Sequence, residues 1–137
     1  MQLDIYVNYR GNCEEAFRFY EQHLGGKLTR LMRHGESPTP NPGVPAEWKD
    51  KVLHAHMTLG GTALLGADIP QSEPMRSAYL SLTLDGPADV ERVYALLTEG
   101  GQVFMPIQQT FFAARFAMLR DRFGTSWMLV CPAPQGT

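Results

Sequence analysis

His54 and His56, separated by one residue, are the pair in this sequence whose type and spacing most directly suggest chemistry. On a β-strand, residues two apart share a face, so both imidazoles would project to one side, an arrangement a zinc or iron site could use. A catalytic zinc normally takes a third protein ligand, and none accompanies the pair at metal-binding spacing. The competing reading is two half-buried histidines hydrogen-bonded to neighbours or to a ligand. His23 and His34 carry no spacing signal and read as surface residues. Cys13 and Cys131 match no metal or redox pattern, and free thiols are expected for both. Nucleophilic catalysis would fall to Ser81, which stands in no elbow motif. The strands expected to line a cavity carry no pair of carboxylates for acid–base work. Asp121, in the run DRFGT, reads as a turn residue.

A second group is aromatic and basic. Phe111, Phe112, Phe116 and Trp127 cluster late in the chain. A planar or anionic ligand could stack on Phe112 and pair with Arg115, although Arg115 reads equally as a surface or interface residue. Trp127 is opposite in parity to Met128, and it is expected to pack beneath a helix rather than face a cavity. Trp48 stands in a proline-rich stretch as either a lid or a packing anchor.

The elements that would position these residues follow from periodicity and punctuation. Residues 3–9 read as a strand, and Asn12 reads as a helix N-cap with Glu15 completing a capping box. Ala16, Phe17, Tyr20 and Leu24 make one helical face, which Gly25-Gly26 stops. Residues 27–34 read as a strand, and 35–51, with Pro38, Pro40, Pro42 and Pro45, as a long loop of the kind that often serves binding. Residues 52–59 alternate cleanly, Gly60-Gly61 turns the chain, and 62–66 return as a hairpin. The same order recurs in a strand over 78–84 and a helix begun by Pro87 and faced by Val90, Val93, Tyr94 and Leu97. Gly100-Gly101 ends that helix, and strands follow over 102–107, 113–120 and 125–131. LGGKL at 24–28 resembles EGGQV at 99–103, which suggests an internal duplication with a linker near 68–76. In the third strand Leu53, Ala55, Met57 and Leu59 oppose His54, His56 and Thr58. In the fifth, Leu80, Leu82 and Leu84 oppose Tyr79, Ser81 and Thr83. Each sheet would thus have an apolar face for its helix and a polar face for something else.

The composition sets outer limits. At 137 residues and a formal charge of −2, the chain suits one domain or two fused half-size units, and no basic run suits a nucleic-acid partner. No apolar stretch reaches membrane-spanning length, and the opening MQLDIYV lacks a signal-peptide pattern, so a cytoplasmic location is expected.

Three runs, GNCEEAFRFYEQHLGGKL at 11–28, LHAHMTLGGTALLGAD at 53–68 and TFFAARFAMLRDRFGTSWML at 110–129, resemble the PhnB-like branch of the vicinal-oxygen-chelate (glyoxalase/bleomycin-resistance/dioxygenase) superfamily. The resemblance implies an α+β fold of two βαβββ modules forming a curved mixed sheet, module 1 over about 1–68 and module 2 over about 77–132. It also implies a homodimer and a small-molecule cavity. Metal-dependent members hold a divalent cation with one side chain from each of four strands. Aligned on the helix and strand motifs, those positions fall here on Ile5, His56, Tyr79 and Met128. Only His56 suits a hard or borderline cation. The expectation is therefore a ligand-binding protein without a bound cofactor, its pocket drawn from His54, His56, Tyr79, Ser81, Phe112 and Arg115. The alternative is a lyase, isomerase or dioxygenase with a divalent metal held by His56 together with His54. A methyltransferase connection attached to some PhnB-like proteins gains no support, because no glycine-rich loop follows the first strand to hold a nucleoside cofactor.

Overall fold

The computed structural model describes residues 1–39 and 41–133; of the loop prolines, Pro40 lies outside the described residues. The element order is β1 (Ile5–Tyr9), α1 (Cys13–Leu24), β2 (Lys27–Arg33), β3 (Val52–Leu59), β4 (Thr62–Asp68), β5 (Leu80–Thr83), α2 (Pro87–Thr98), β6 (Gln102–Gln108), β7 (Ala113–Arg120) and β8 (Ser126–Pro132). The chain divides into two compact units at Glu73/Pro74. Each holds a βαβββ run and one four-stranded mixed sheet, ordered β1-β4-β3-β2 in the first and β5-β8-β7-β6 in the second. The fold is α+β. In both units the first and last strands pair in parallel and the remaining pairs are antiparallel. β5 is shorter than its alternation suggests, since Ala78, Tyr79 and Leu84 fall outside it.

In the first unit Cys13, Ala16, Phe17 and Tyr20 of α1 are fully buried, and Gly66 of β4 lies directly beneath Phe17 and Cys13. Ala55, Met57 and Leu64 share that buried side of the sheet. Burying one such phenylalanine contributes about 2 kcal/mol. Burial also pushes the Cys13 thiol well above its usual range, so it is a packing residue, not a nucleophile. In the second unit Val90, Val93 and Leu97 of α2 are buried over Ala117, Leu119, Trp127 and Leu129, which are themselves inaccessible. Trp127 is therefore the residue of its pair that packs beneath a helix. Both cysteines are buried free thiols.

Asn12 does not cap α1. Its side chain makes no capping hydrogen bond, and its Oδ1 is buried without a partner. Asp68 acts instead: Gly11 N–H and Cys13 N–H donate to Oδ1 at 2.9 and 3.0 Å, and Val52 N–H donates to Oδ2 at 2.9 Å. A residue expected to open the linker is thus the buried end of β4, tying the start of α1 and the start of β3 to one carboxylate. Asp121 does comparable work in the second unit, accepting from Phe123 N–H and Thr125 N–H at 3.0 Å each and from Trp127 Nε1–H at 2.8 Å.

The proline-rich loop is more ordered than its composition implies. It contains two single 3₁₀ turns, His34–Glu36 and Ala46–Trp48. His34 is no free surface residue, because its Nε2 bonds the Asp68 carbonyl at 2.8 Å and its backbone N–H donates to Lys51 O. Trp48 rests beside Gly11 at the β1–α1 turn, as an anchor does. Arg33 donates to both carboxylate oxygens of Glu14 at 2.8 and 3.1 Å, and these bonds hold the Glu14 carboxyl below its ordinary range. No helix among the described residues is long and apolar enough to cross a membrane.

Candidate functional site

Each sheet has one face under its helix and one free of it, and strand parity assigns the candidate residues to these faces. In the first unit, the register places Tyr6 of β1 opposite Leu65, Leu65 opposite His56, and His56 opposite Arg30. This row crosses the helix-free face from edge to edge, with His54 two residues along the same strand. Tyr6 is 52% exposed, and its ring lies 6.4 Å from that of His54. Partial burial pushes the Tyr6 phenol up, so it is a neutral hydrogen-bonding group at neutral pH.

His56 is oriented by a neighbour that alternation alone does not reveal. The β2–β3 register shifts between Leu28 and Arg30, and this bulge leaves Thr29 unpaired and re-aims its side chain. Thr29 Oγ1 stands 2.7 Å from His56 Nδ1 and donates to the His56 carbonyl at 3.1 Å. A hydroxyl has one hydrogen. With that hydrogen on the carbonyl, Oγ1 accepts from Nδ1–H, and the lone pair of the neutral imidazole resides on Nε2.

In the second unit the helix-free face is less polar than sequence alternation suggests. Ser81 pairs with Met128, Met128 with Met118, and Met118 with Met105, so a methionine row spans most of the sheet. Met128 is part of this polarisable surface. Tyr79 precedes β5, its ring 6.3 Å from that of Phe104 and edge-on to it. Both line an open hollow of about 390 Å³. Phe112 packs edge-on against Phe116 at 5.2 Å and remains 48% exposed.

Arg115 differs from its expected placement. It pairs with Cys131 and shares the face of Ala117 and Leu119, and its Nε donates to Glu91 of α2 at 3.3 Å. It therefore leaves the sheet on the helix side, since the unbroken register from Arg115 to Arg120 alternates it with Phe116. Ile5 likewise pairs with Leu64 on the α1 side, and the β1 residue sharing the histidine face is Tyr6. The four positions that the resemblance aligns with metal ligands thus comprise one alkyl chain on the helix side, one imidazole, one phenol and one thioether. Among the described residues no group of three or more His, Cys, Asp or Glu side chains is placed to hold a metal ion. This donor set does not fit a hard or borderline divalent cation.

A second hollow, of about 160 Å³, lies in the proline-rich loop beside His34, Asn41, Lys49 and Leu53. Small-molecule sites usually occupy roughly 300–1,000 Å³, which favours the hollow beside Tyr79.

The fold is an α+β pair of βαβββ units, each with a helix-free sheet face, and residues 2–129 match the family described as "Glyoxalase/Bleomycin resistance protein/Dioxygenase superfamily". The chain belongs to that superfamily. Protein YjdN of Escherichia coli (strain K12) is 28% identical over 138 residues, covering 94% of each chain. Protein PA1353 of Pseudomonas aeruginosa is 43% identical in sequence, with a TM-score of 0.84 over 96% of this chain and 98% of that one. The PhnB protein of Bacillus cereus shares the fold, with 24% identity and a TM-score of 0.80 over 96% and 99% of the two chains.

Proposed function

We propose that this PhnB-like protein binds a small organic molecule on the helix-free faces of its sheets and needs no metal ion to do so. The carrying observation is the hollow of about 390 Å³ beside Tyr79 and Phe104, large enough for a small ligand and lined by aromatic and polar groups together. His54, His56, Tyr6 and Thr29 on the first sheet, and Ser81 and Phe112 on the second, supply further hydrogen-bonding and stacking groups. Arg115 leaves this set, since it is paired with Glu91. A cytoplasmic location accords with two free buried thiols.

The test is a fragment screen by ligand-observed NMR on the whole chain, with and without zinc, nickel and manganese. Saturable binders that perturb Tyr79 or the histidine ring protons are expected without added metal. Melting temperature should stay within about 1 °C of the metal-free value, since a ligand present at 100 times its Kd would stabilise by about 2.7 kcal/mol. A screen without binders on either helix-free face overturns the proposal. A saturable rise in melting temperature that His56→Ala abolishes replaces it with the metal-dependent lyase, isomerase or dioxygenase reading.

We also propose a homodimer. Phe111 and Phe112 are 96% and 48% exposed, an apolar pair that association would cover. Light scattering after size exclusion is expected to give twice the chain mass of 15.3 kDa, and a clean monomer at micromolar concentration would count against it.

A further inference from the structure

We propose that the hollow of the second unit selects a planar aromatic anion, an aryl carboxylate or a close analogue, gripped by Arg76 and Arg120 and packed against Tyr79 and Phe104. This rests on the reading of that hollow as a ligand site, but it does not depend on the histidines of the first unit.

The argument begins with charge. Arg18 and Arg33 reach Glu14 and Arg115 reaches Glu91, whereas Arg10 and Arg30, like the two arginines of this hollow, form no ion pair among the described residues; what sets Arg76 and Arg120 apart is their shared place. Arg76 and Arg120 line the same hollow, and neither forms an ion pair among the described residues. Two like charges in one concave wall repel, and an anion placed between them removes that repulsion and adds charge-assisted hydrogen bonds.

Arg120 is held ready for this. Its Nη1 donates to the Met75 carbonyl at 3.2 Å and its Nη2 to Gln102 Oε1 at 3.0 Å, both neutral acceptors, so the positive charge is oriented but not cancelled. The guanidinium carbon lies 5.5 Å from the centroid of Phe104, over the ring face. Of its five donors, most remain for a ligand. Arg76 has no hydrogen bond among the described residues and can close on a carboxylate from another side.

The aromatic half of the preference comes from the Tyr79–Phe104 pair. The rings meet edge to face at an interplanar angle of 84°, which leaves a corner where a flat ring can stack on one and abut the other. Phe104 is 41% exposed even with Arg120 and Tyr79 beside it, so apolar surface remains for a ligand ring. Ser77, at the rim between Arg76 and Tyr79, has a φ of 59°, a left-handed backbone unusual for a residue with a side chain. Such a conformation recurs where a chain is bent to present neighbouring side chains to a ligand.

The test uses probes matched in shape but not in charge: benzoate, its neutral counterpart benzamide, and acetate as charge without ring. Each is titrated calorimetrically into the whole chain at low and moderate salt. Benzoate is expected to bind at least about tenfold tighter than either benzamide or acetate. Arg76→Ala is expected to weaken benzoate about tenfold or more, the size of one lost charged hydrogen bond, and to leave benzamide unchanged. Arg76 is exposed and makes no hydrogen bond or ion pair among the described residues, so this variant should retain the parent melting temperature. Equal affinity for benzoate and benzamide, or benzoate binding unaffected by Arg76→Ala, overturns the anion preference. Acetate matching benzoate overturns the aromatic half. If none of the three binds while the fragment screen finds ligands in this hollow, the anion inference alone fails; if the hollow takes nothing at all, the reading beneath it fails too.

Discussion

Replacing Gly101 by alanine is expected to lower stability by about 3 kcal/mol or more, while the same change at Gly26 costs about 1 kcal/mol. The two glycines occupy equivalent places in LGGKL and EGGQV, each following a helix and opening a strand. In both pairs the first glycine is left-handed, at φ 75° for Gly25 and 72° for Gly100, and the second is crowded. The crowding differs in kind. A Cβ on Gly101 would collide with the carbonyl oxygen of Arg120 and stand 3.1 Å from both Asp121 Cα and the Leu97 carbonyl oxygen, all backbone atoms. Backbone cannot step aside without separating α2 from the β7 end of the sheet. A Cβ on Gly26 would meet the Met57 side chain, with Sδ at 2.7 Å, and a thioether on three rotatable bonds can turn away. Thermal melts and urea midpoints of the two variants check the contrast; similar losses at both positions would show that side-chain repacking does not explain it.

Asp68→Ala should be comparably severe, costing about 3–5 kcal/mol, because three main-chain donors would lose their acceptor in a site only 1% exposed. Asp68→Asn is the informative companion. Its amide oxygen can keep Gly11 and Cys13, but its NH₂ would then face the Val52 N–H, donor against donor, so an intermediate loss of about 2 kcal/mol is expected. Hydrogen exchange adds a local reading: protection at Gly11, Cys13 and Val52 should fall in both variants before the global transition. A loss below about 1 kcal/mol for Asp68→Ala would mean that water or a rearranged turn replaces the carboxylate.

These two sites also mark where the sequence was legible. Alternation in residues 52–59 placed His54 and His56 correctly on one face, and the double glycines marked both helix ends, because the conformational demand at those points is written in the residue itself. Helix starts were harder. Asn12 has the right chemistry for a cap, yet the orphaned amides of α1 found a carboxylate 55 positions away, a tertiary substitute that local rules do not see. The register shift beside Arg30 brought Thr29 onto His56, whereas Arg115 points toward α2 by simple alternation with Phe116. Tyr6 was recoverable, since Ile5 and Val7 alternate with Tyr6 and Asn8 and so claim the other face. Arg76 and Arg120 were not, because one lies in a stretch read as linker and the other at a strand end, and only three-dimensional proximity groups them.

The parallel pairing of β1 with β4, and of β5 with β8, governs how this polypeptide can be made. As the chain emerges from the ribosome, β1 and α1 have no sheet to join until residue 68 is free, since the opening strand must wait for the closing one, and Asp68 brings the acceptor for both ends of the turn. The second half faces the same delay until Pro132 is released. A stalled fragment ending within β7 would therefore carry one finished half and one with Leu80 and Leu82 bare, a species for chaperones or proteases to take up.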